Sequence, residues 1–170
     1  QGTQQEQSFR SAWMRISDHF RKQEFEKSAT AMRLGISNIV TEPELVANMV
    51  ALAANVLEPL RAKWGPVSLS SGYRHPDLSQ ALGSKPTSSH CFAEAVDCEM
   101  FKSPGNRPVF EWFVNESGLS WDQIILEHEG EDPFDGWLHI SSKRCLSENR
   151  KEVLRAVRQD GKTVYLPGLN

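Results

Sequence analysis

His90 and Asp97 stand seven residues apart, and His139 follows 42 residues after Asp97. Two imidazoles and a carboxylate suit a divalent first-row metal, with zinc the leading candidate. Three protein ligands leave a fourth position for water, which is the pattern of a catalytic zinc rather than of a structural site closed by four Cys or His. The run from Glu94 to Met100, with Ala95 and Val96 beside Asp97, reads as a strand. A loop would then deliver His90 while the strand presents Asp97 on the same side. His139 lies in a second strand, 137–141, and shares its face with Trp137 and Ser141 by two-residue alternation. By spacing alone the set is unspecific, because a histidine on a strand is more often a satisfied core residue.

Hydrolysis at such a metal also needs a base for the attacking water. Glu127 ends the apolar strand Trp121 to Leu126, and the acidic, turn-rich segment Glu127 to Gly136 joins it to the strand of His139. A hairpin of that kind would bring Glu127 close to the ligands. Asp135, four residues before His139, is the rival. Glu127 is preferred, since an acid in a Gly-bearing turn more often serves local hydrogen bonds. His128 should point to the opposite side if the strand continues. His19 and His75 read as exposed structural residues, and Glu129, Glu131 and Asp132 as a solvated loop. Cys91 and Cys98 read as small apolar fillers. With Cys145 they make an odd number at no familiar spacing, which argues against a disulfide framework.

The elements that must position these residues are moderately legible. Glu24 to Leu34 reads as a helix with Phe25 and Met32 facing the core. Thr41-Glu42-Pro43-Glu44 resembles a capped helix start, with Thr41 capping and Glu44 returning the bond. Leu45, Met49, Leu52, Val56 and Leu60 then recur at helical spacing, with Pro59 positioned to kink or end the helix. Gly65-Pro66 stops it, and Val67 to Ser71 alternates like a strand. A short helix, 76–82, ends at Gly83. A further helix from about Pro108 to Asn115 buries Phe110, Phe113 and Val114. Asn149 to Val157 reads as a last helix, after which Asp160-Gly161 turns into a short extension. The fold class is α+β: a small antiparallel sheet with helices packed on one side.

The chain has 170 residues, 39% of them apolar, which fits one domain with one ordinary core. Residues 1–13 read as a flexible lead-in and 14–170 as the domain. A net charge of −3 and a pI near 6.0 give no electrostatic reason to expect nucleic acid or an acidic membrane as partner. No apolar run approaches the roughly 18 residues of a membrane span. The Gln-rich start shows no signal-peptide pattern, which leaves the location unknown. A monomer is the expectation.

Three separated motifs carry a resemblance. Ser71-Gly72-Tyr73-Arg74, then Ser88-Ser89-His90-Cys91-Phe92-Ala93-Glu94-Ala95-Val96-Asp97, then Trp137-Leu138-His139-Ile140-Ser141 follow one another in order. Together they resemble the M15 peptidases, the zinc D-alanyl-D-alanine carboxypeptidases and related phage endolysins, whose fold is shared by hedgehog signalling domains. The likeness covers at least Ser17 to His139. It implies zinc on His90, Asp97 and His139, and a peptidoglycan stem peptide as substrate. Whether such an enzyme would act as a carboxypeptidase or as an endolysin-type endopeptidase stays open. It implies that Arg74 stabilises an oxyanion or anchors a substrate carboxylate, and that Ser88 binds the substrate's terminal carboxylate. Trp137 could wall the peptide groove. Hedgehog domains have an acid ending a strand comparable to that of Glu127, whereas some family members carry their acid three residues before the last ligand, here Gly136. The family usually has Gly where this chain has Ala93, so a positive φ there would cost about 1 kcal/mol. The alternative is a non-catalytic module that keeps the fold and the metal.

Overall fold

The computed structural model describes residues 14–169; the proposed lead-in lies outside the described residues. A short helix α1 (Lys22–Glu26) is followed by α2 (Ala29–Leu34). The single helix expected over Glu24 to Leu34 is thus two, broken where Ser28 turns extended and accepts the Ala31 N–H as the cap of α2. Phe25 is fully buried as expected, but the break turns Met32 outward, and it is 84% exposed.

The long helix α3 (Pro43–Trp64) spans 22 residues. Its start is capped differently from the expectation: Glu42 occupies the cap position with no side-chain bond to the helix, and its carboxylate instead accepts the Thr41 N–H. Pro59 neither ends nor breaks the helix. The segment before it, Ala53–Leu57, widens into a π turn, which accommodates the proline ring. Met49, Leu52, Val56 and Leu60 form the buried stripe, and Leu45 packs at its margin. By length and mean apolarity α3 could cross a bilayer, although no unbroken apolar run marks it in the sequence. Its apolar stripe forms part of the core cluster of this domain.

The sheet has six strands in the order β1-β2-β4-β3-β5-β6. These are β1 (Ser68–Ser71), β2 (Ala95–Glu99), β3 (Gln123–Glu127), β4 (Trp137–Ser141), β5 (Glu152–Gln159) and β6 (Lys162–Pro167). All neighbours are antiparallel except β3 and β5, which run parallel. The last helix expected over Asn149 to Val157 is therefore strand β5. Asp160 and Gly161, both at positive φ (50° and 75°), make the two-residue turn that returns it as β6. Helix α4 (Pro76–Ala81) precedes Gly83, and α5 (Asn106–Asn115) lies between β2 and β3.

Alternation divides the sheet into two faces. Leu69, Val96, Cys98, Ile124, Leu126, Leu138 and Ile140 join the core with Phe110 and Phe113 of α5. Each such aliphatic or aromatic side chain contributes about 1.5–3 kcal/mol on burial. The other face carries the polar residues. One row across it reads Ser71, Asp97, His139, Ile125, Leu154; the next reads Trp137, Glu127, Ala156, Tyr165.

Candidate metal centre and catalytic groove

Asp97 and His139 are direct cross-strand partners on β2 and β4. His90 comes from a 3₁₀ turn, Ser89–Phe92, capped by Ser88, whose hydroxyl accepts the His90 N–H. Three contacts fix this turn. Asn48 of α3 donates to the Phe92 carbonyl, the Arg74 N–H bonds the His90 carbonyl, and His90 Nδ1 meets the Gly72 carbonyl at 2.6 Å. Gly72 must be glycine, because a Cβ there would stand 2.6 Å from the Phe25 backbone. The turn ends at Ala93, whose φ of 55° is the left-handed conformation that glycine would adopt more cheaply. The methyl group is buried in the core cluster in exchange.

The three side chains converge. His90 Nε2 lies 3.2 Å from His139 Nδ1 and 3.3 Å from Asp97 Oδ1, and His139 Nδ1 lies 2.9 Å from the same oxygen. Ligands about 2.0–2.1 Å from a tetrahedral zinc are spaced by about 3.3 Å, so this triangle fits the ion. The tautomers fit as well: the bond of His90 Nδ1 to a carbonyl fixes its proton there and leaves Nε2 as a donor to metal. All three residues are buried. Burial works against the Asp97 charge, but His90 and His139 outweigh it and hold the carboxyl well below its ordinary range. Burial likewise pulls the His90 imidazole down, toward the neutral form that ligates metal.

Arg74 is not free to face a substrate with its whole fork. Its Nη2 bonds Asp97 Oδ2 at 2.5 Å, and its Nε donates to Ser71. It thus orients the outer oxygen of Asp97 while still lining the cavity. That cavity, of about 410 Å³, is bordered by Ser88, His90, Asp97, His139, Glu127 and Trp137.

Glu127 sits on this face one row from Asp97 and His139, diagonal to His139 through the pair Ile125 and His139. It is only 8% exposed, and burial pushes its carboxyl above the ordinary value. Asp135 is exposed and outside the cavity; its carboxylate accepts the Asp132 N–H within the loop. Gly136 could not carry an acid: with φ at 75°, a Cβ would fall 1.8 Å from the Glu127 carbonyl.

His128 departs from the expectation. Its φ of 53° breaks the alternation, so it lines the cavity beside Glu127 and packs on Trp137 at 5.5 Å. Its Nδ1 is buried without a hydrogen-bond partner among the described residues. Sequence reasoning also missed Thr163 and Tyr165, which reach the cavity from β6. The Asp-Gly pair between two segments containing β-branched residues was the signal for that hairpin. Cys91, Cys98 and Cys145 are free. Glu129 pairs with Arg107, which leaves the acidic loop without a clustered role.

The α+β sheet thus brings a buried His, Asp, His set that could hold a metal ion beside a buried glutamate. Residues 18–120 match the family described as Peptidase M15, and this chain belongs to that family of peptidases. The match includes Arg74, Ser88, His90 and Asp97; the fold then supplies Glu127, Trp137 and His139. The chain is also similar to the arginine biosynthesis bifunctional protein ArgJ of Parasynechococcus marenigrum (strain WH8102), at 28% identity over 137 residues. That similarity covers 79% of this chain and 32% of the relative, so the chain spans about a third of that protein's length.

Proposed function

We propose that this protein is a zinc-dependent peptidase that hydrolyses peptide bonds in peptidoglycan stem peptides. The observation that carries the reading is the triangle of three buried donor atoms, none more than 3.3 Å from another, one sheet row from a buried carboxylate. His90, Asp97 and His139 would hold the ion. Bound there, zinc supplies a Lewis acid for the peptide carbonyl and lowers the pKa of water.

The remaining steps belong to the chain's own groups. Glu127 takes the proton from the attacking water and delivers it to the leaving amine. Burial raises its carboxyl above the ordinary value, which makes it a stronger base than a free glutamate. Arg74 keeps Asp97 in its ligating orientation, and its cavity-facing edge offers positive charge to the developing oxyanion. Ser88, at the mouth of the His90 turn, is placed to bond a substrate carboxylate. Trp137 closes the groove beside Glu127. A non-catalytic module of the same fold could keep both the ligands and this acid, so only loss of turnover in Glu127→Gln at full zinc content separates the two readings.

Elemental analysis tests it. The purified protein should carry about one zinc per chain, lost in His90→Ala and in His139→Ala with the fold retained, because a sheet and core of this size do not depend on metal. Metal-free protein that still cleaves muropeptides at neutral pH would refute the proposal.

A further inference from the structure

The C-terminal hairpin reaches the face of the candidate site although His90 comes from a 3₁₀ turn and Asp97, His139 and Glu127 from other strands. Across the base row, Trp137 on β4, Glu127 on β3, Ala156 on β5 and Tyr165 on β6 are successive partners. All four therefore project from the same side of the sheet. Strands lie about 4.8 Å apart, which puts the Tyr165 backbone about 9.5 Å from that of Glu127 with only a methyl group between. Ala156 is buried, while Tyr165 is 52% exposed. The row is thus a shallow trough with a tryptophan on one bank, a tyrosine on the other and the glutamate in its floor.

The tyrosine is not a remote surface residue. It lines the same cavity as Glu127, His128 and the ligands, as does Thr163 on the same strand. Partial burial raises its hydroxyl pKa, and the charges of Glu127 and Asp97 add to that effect, so the phenol stays protonated and able to donate. The structure gives that hydroxyl no hydrogen-bond partner among the described residues. Nη2 and Nε of Arg74 are committed to Asp97 and Ser71, so on this bank of the cavity the donors are Tyr165 and Thr163.

We propose that the β5–β6 hairpin forms one bank of the substrate groove, with Tyr165 as a substrate-binding residue whose hydroxyl donates to a backbone carbonyl of the bound peptide. Its ring packs against the peptide opposite Trp137. This deepens the peptidase reading and rests on it. Tyr165 sets affinity for the peptide rather than the chemistry, and it leaves zinc binding unaffected.

The chain has two tyrosines, which makes the test direct. Protein labelled with 13C at the tyrosine ζ carbon gives two ring signals, one from buried Tyr73 and one from Tyr165. The Glu127→Gln variant, loaded with zinc, would be titrated with a stem pentapeptide ending in D-Ala-D-Ala. The Tyr165 signal should move while that of Tyr73 stays. Adding Tyr165→Phe should weaken peptide binding by about 5–10-fold, as expected for one lost hydrogen bond, at unchanged zinc content. Tyr165→Ala should weaken it further. Binding of the pentapeptide with an unmoved Tyr165 signal, or equal affinity in Tyr165→Phe, overturns the role of the hairpin and leaves the peptidase reading standing. No binding at millimolar peptide overturns the substrate class and this proposal with it.

Discussion

Replacing Glu127 by Gln separates a working peptidase from a metal-holding relic. Gln keeps the size of Glu and one acceptor oxygen, but it cannot accept a proton from water. Removing a general base costs about 10²–10⁴-fold in rate, or roughly 3–5 kcal/mol of transition-state stabilisation. The structure predicts that nearly all of this appears in kcat, because Glu127 is outside the triangle of His90, Asp97 and His139. Zinc content should stay at one per chain. Stability should hold or rise slightly, since the variant removes a charge that burial disfavours. Asp135→Asn is the paired control. Asp135 is exposed, and its bond to the Asp132 N–H survives in an asparagine, so kcat should change by less than ~10-fold. The assay is single-turnover hydrolysis of a muropeptide by zinc-loaded protein, with product quantified by mass spectrometry. A large loss in Asp135→Asn and a small one in Glu127→Gln would refute the placement of the base.

Other outcomes follow from the same geometry. Arg74→Lys keeps the charge but loses one of two donor contacts, so zinc Kd should rise about 10-fold in a competitive chelator titration; an unchanged Kd with a large fall in kcat would instead place Arg74 on the oxyanion. The acid limb of kcat/KM should lie above 4.5, because burial raises the Glu127 carboxyl and only its ionised form is the base. In metal-free protein the same shift makes folding take up a proton, so the contribution of Glu127 to stability falls as pH rises from 4.5, and urea unfolding of Glu127→Gln should lack that trend. Gly136→Ala should cost at least about 2 kcal/mol in urea unfolding and lower kcat, since its Cβ would displace the Glu127 carbonyl.

The candidate ligands His90, Asp97 and His139 were legible as a cluster because their surroundings repeat a motif, and the strands under Asp97 and His139 because apolar alternation is strong there. The candidate base was legible only as a preference between Glu127 and Asp135, of which the fold brings Glu127 to the cavity. The steric closure of Gly136 depends on the path of a neighbouring strand, which no local pattern reveals. The C-terminal half of the site was misread for a definite reason. Val153, Ala156 and Val157 fit a helical spacing as well as a strand, and only parallel pairing with β3 decides between them. Reading a helix there moved Tyr165 away from the groove. His128 was misplaced because alternation was extended one residue past the strand, into a left-handed turn. Arg74 lines the cavity as expected, but its bonds to Asp97 and Ser71 were not legible, because they depend on the bulge between Leu69 and Ser71 that pairs Ser71 with Asp97.

The central claim is that His90, Asp97 and His139 hold a zinc that, with Glu127, cuts wall peptides. Its most direct test is mass-spectrometric digestion of purified muropeptides by the protein with one equivalent of zinc, repeated after chelation. The account predicts shortened stem peptides that vanish on chelation and return when zinc is restored. Intact muropeptides at full zinc occupancy, or cleavage that chelation leaves untouched, would contradict it.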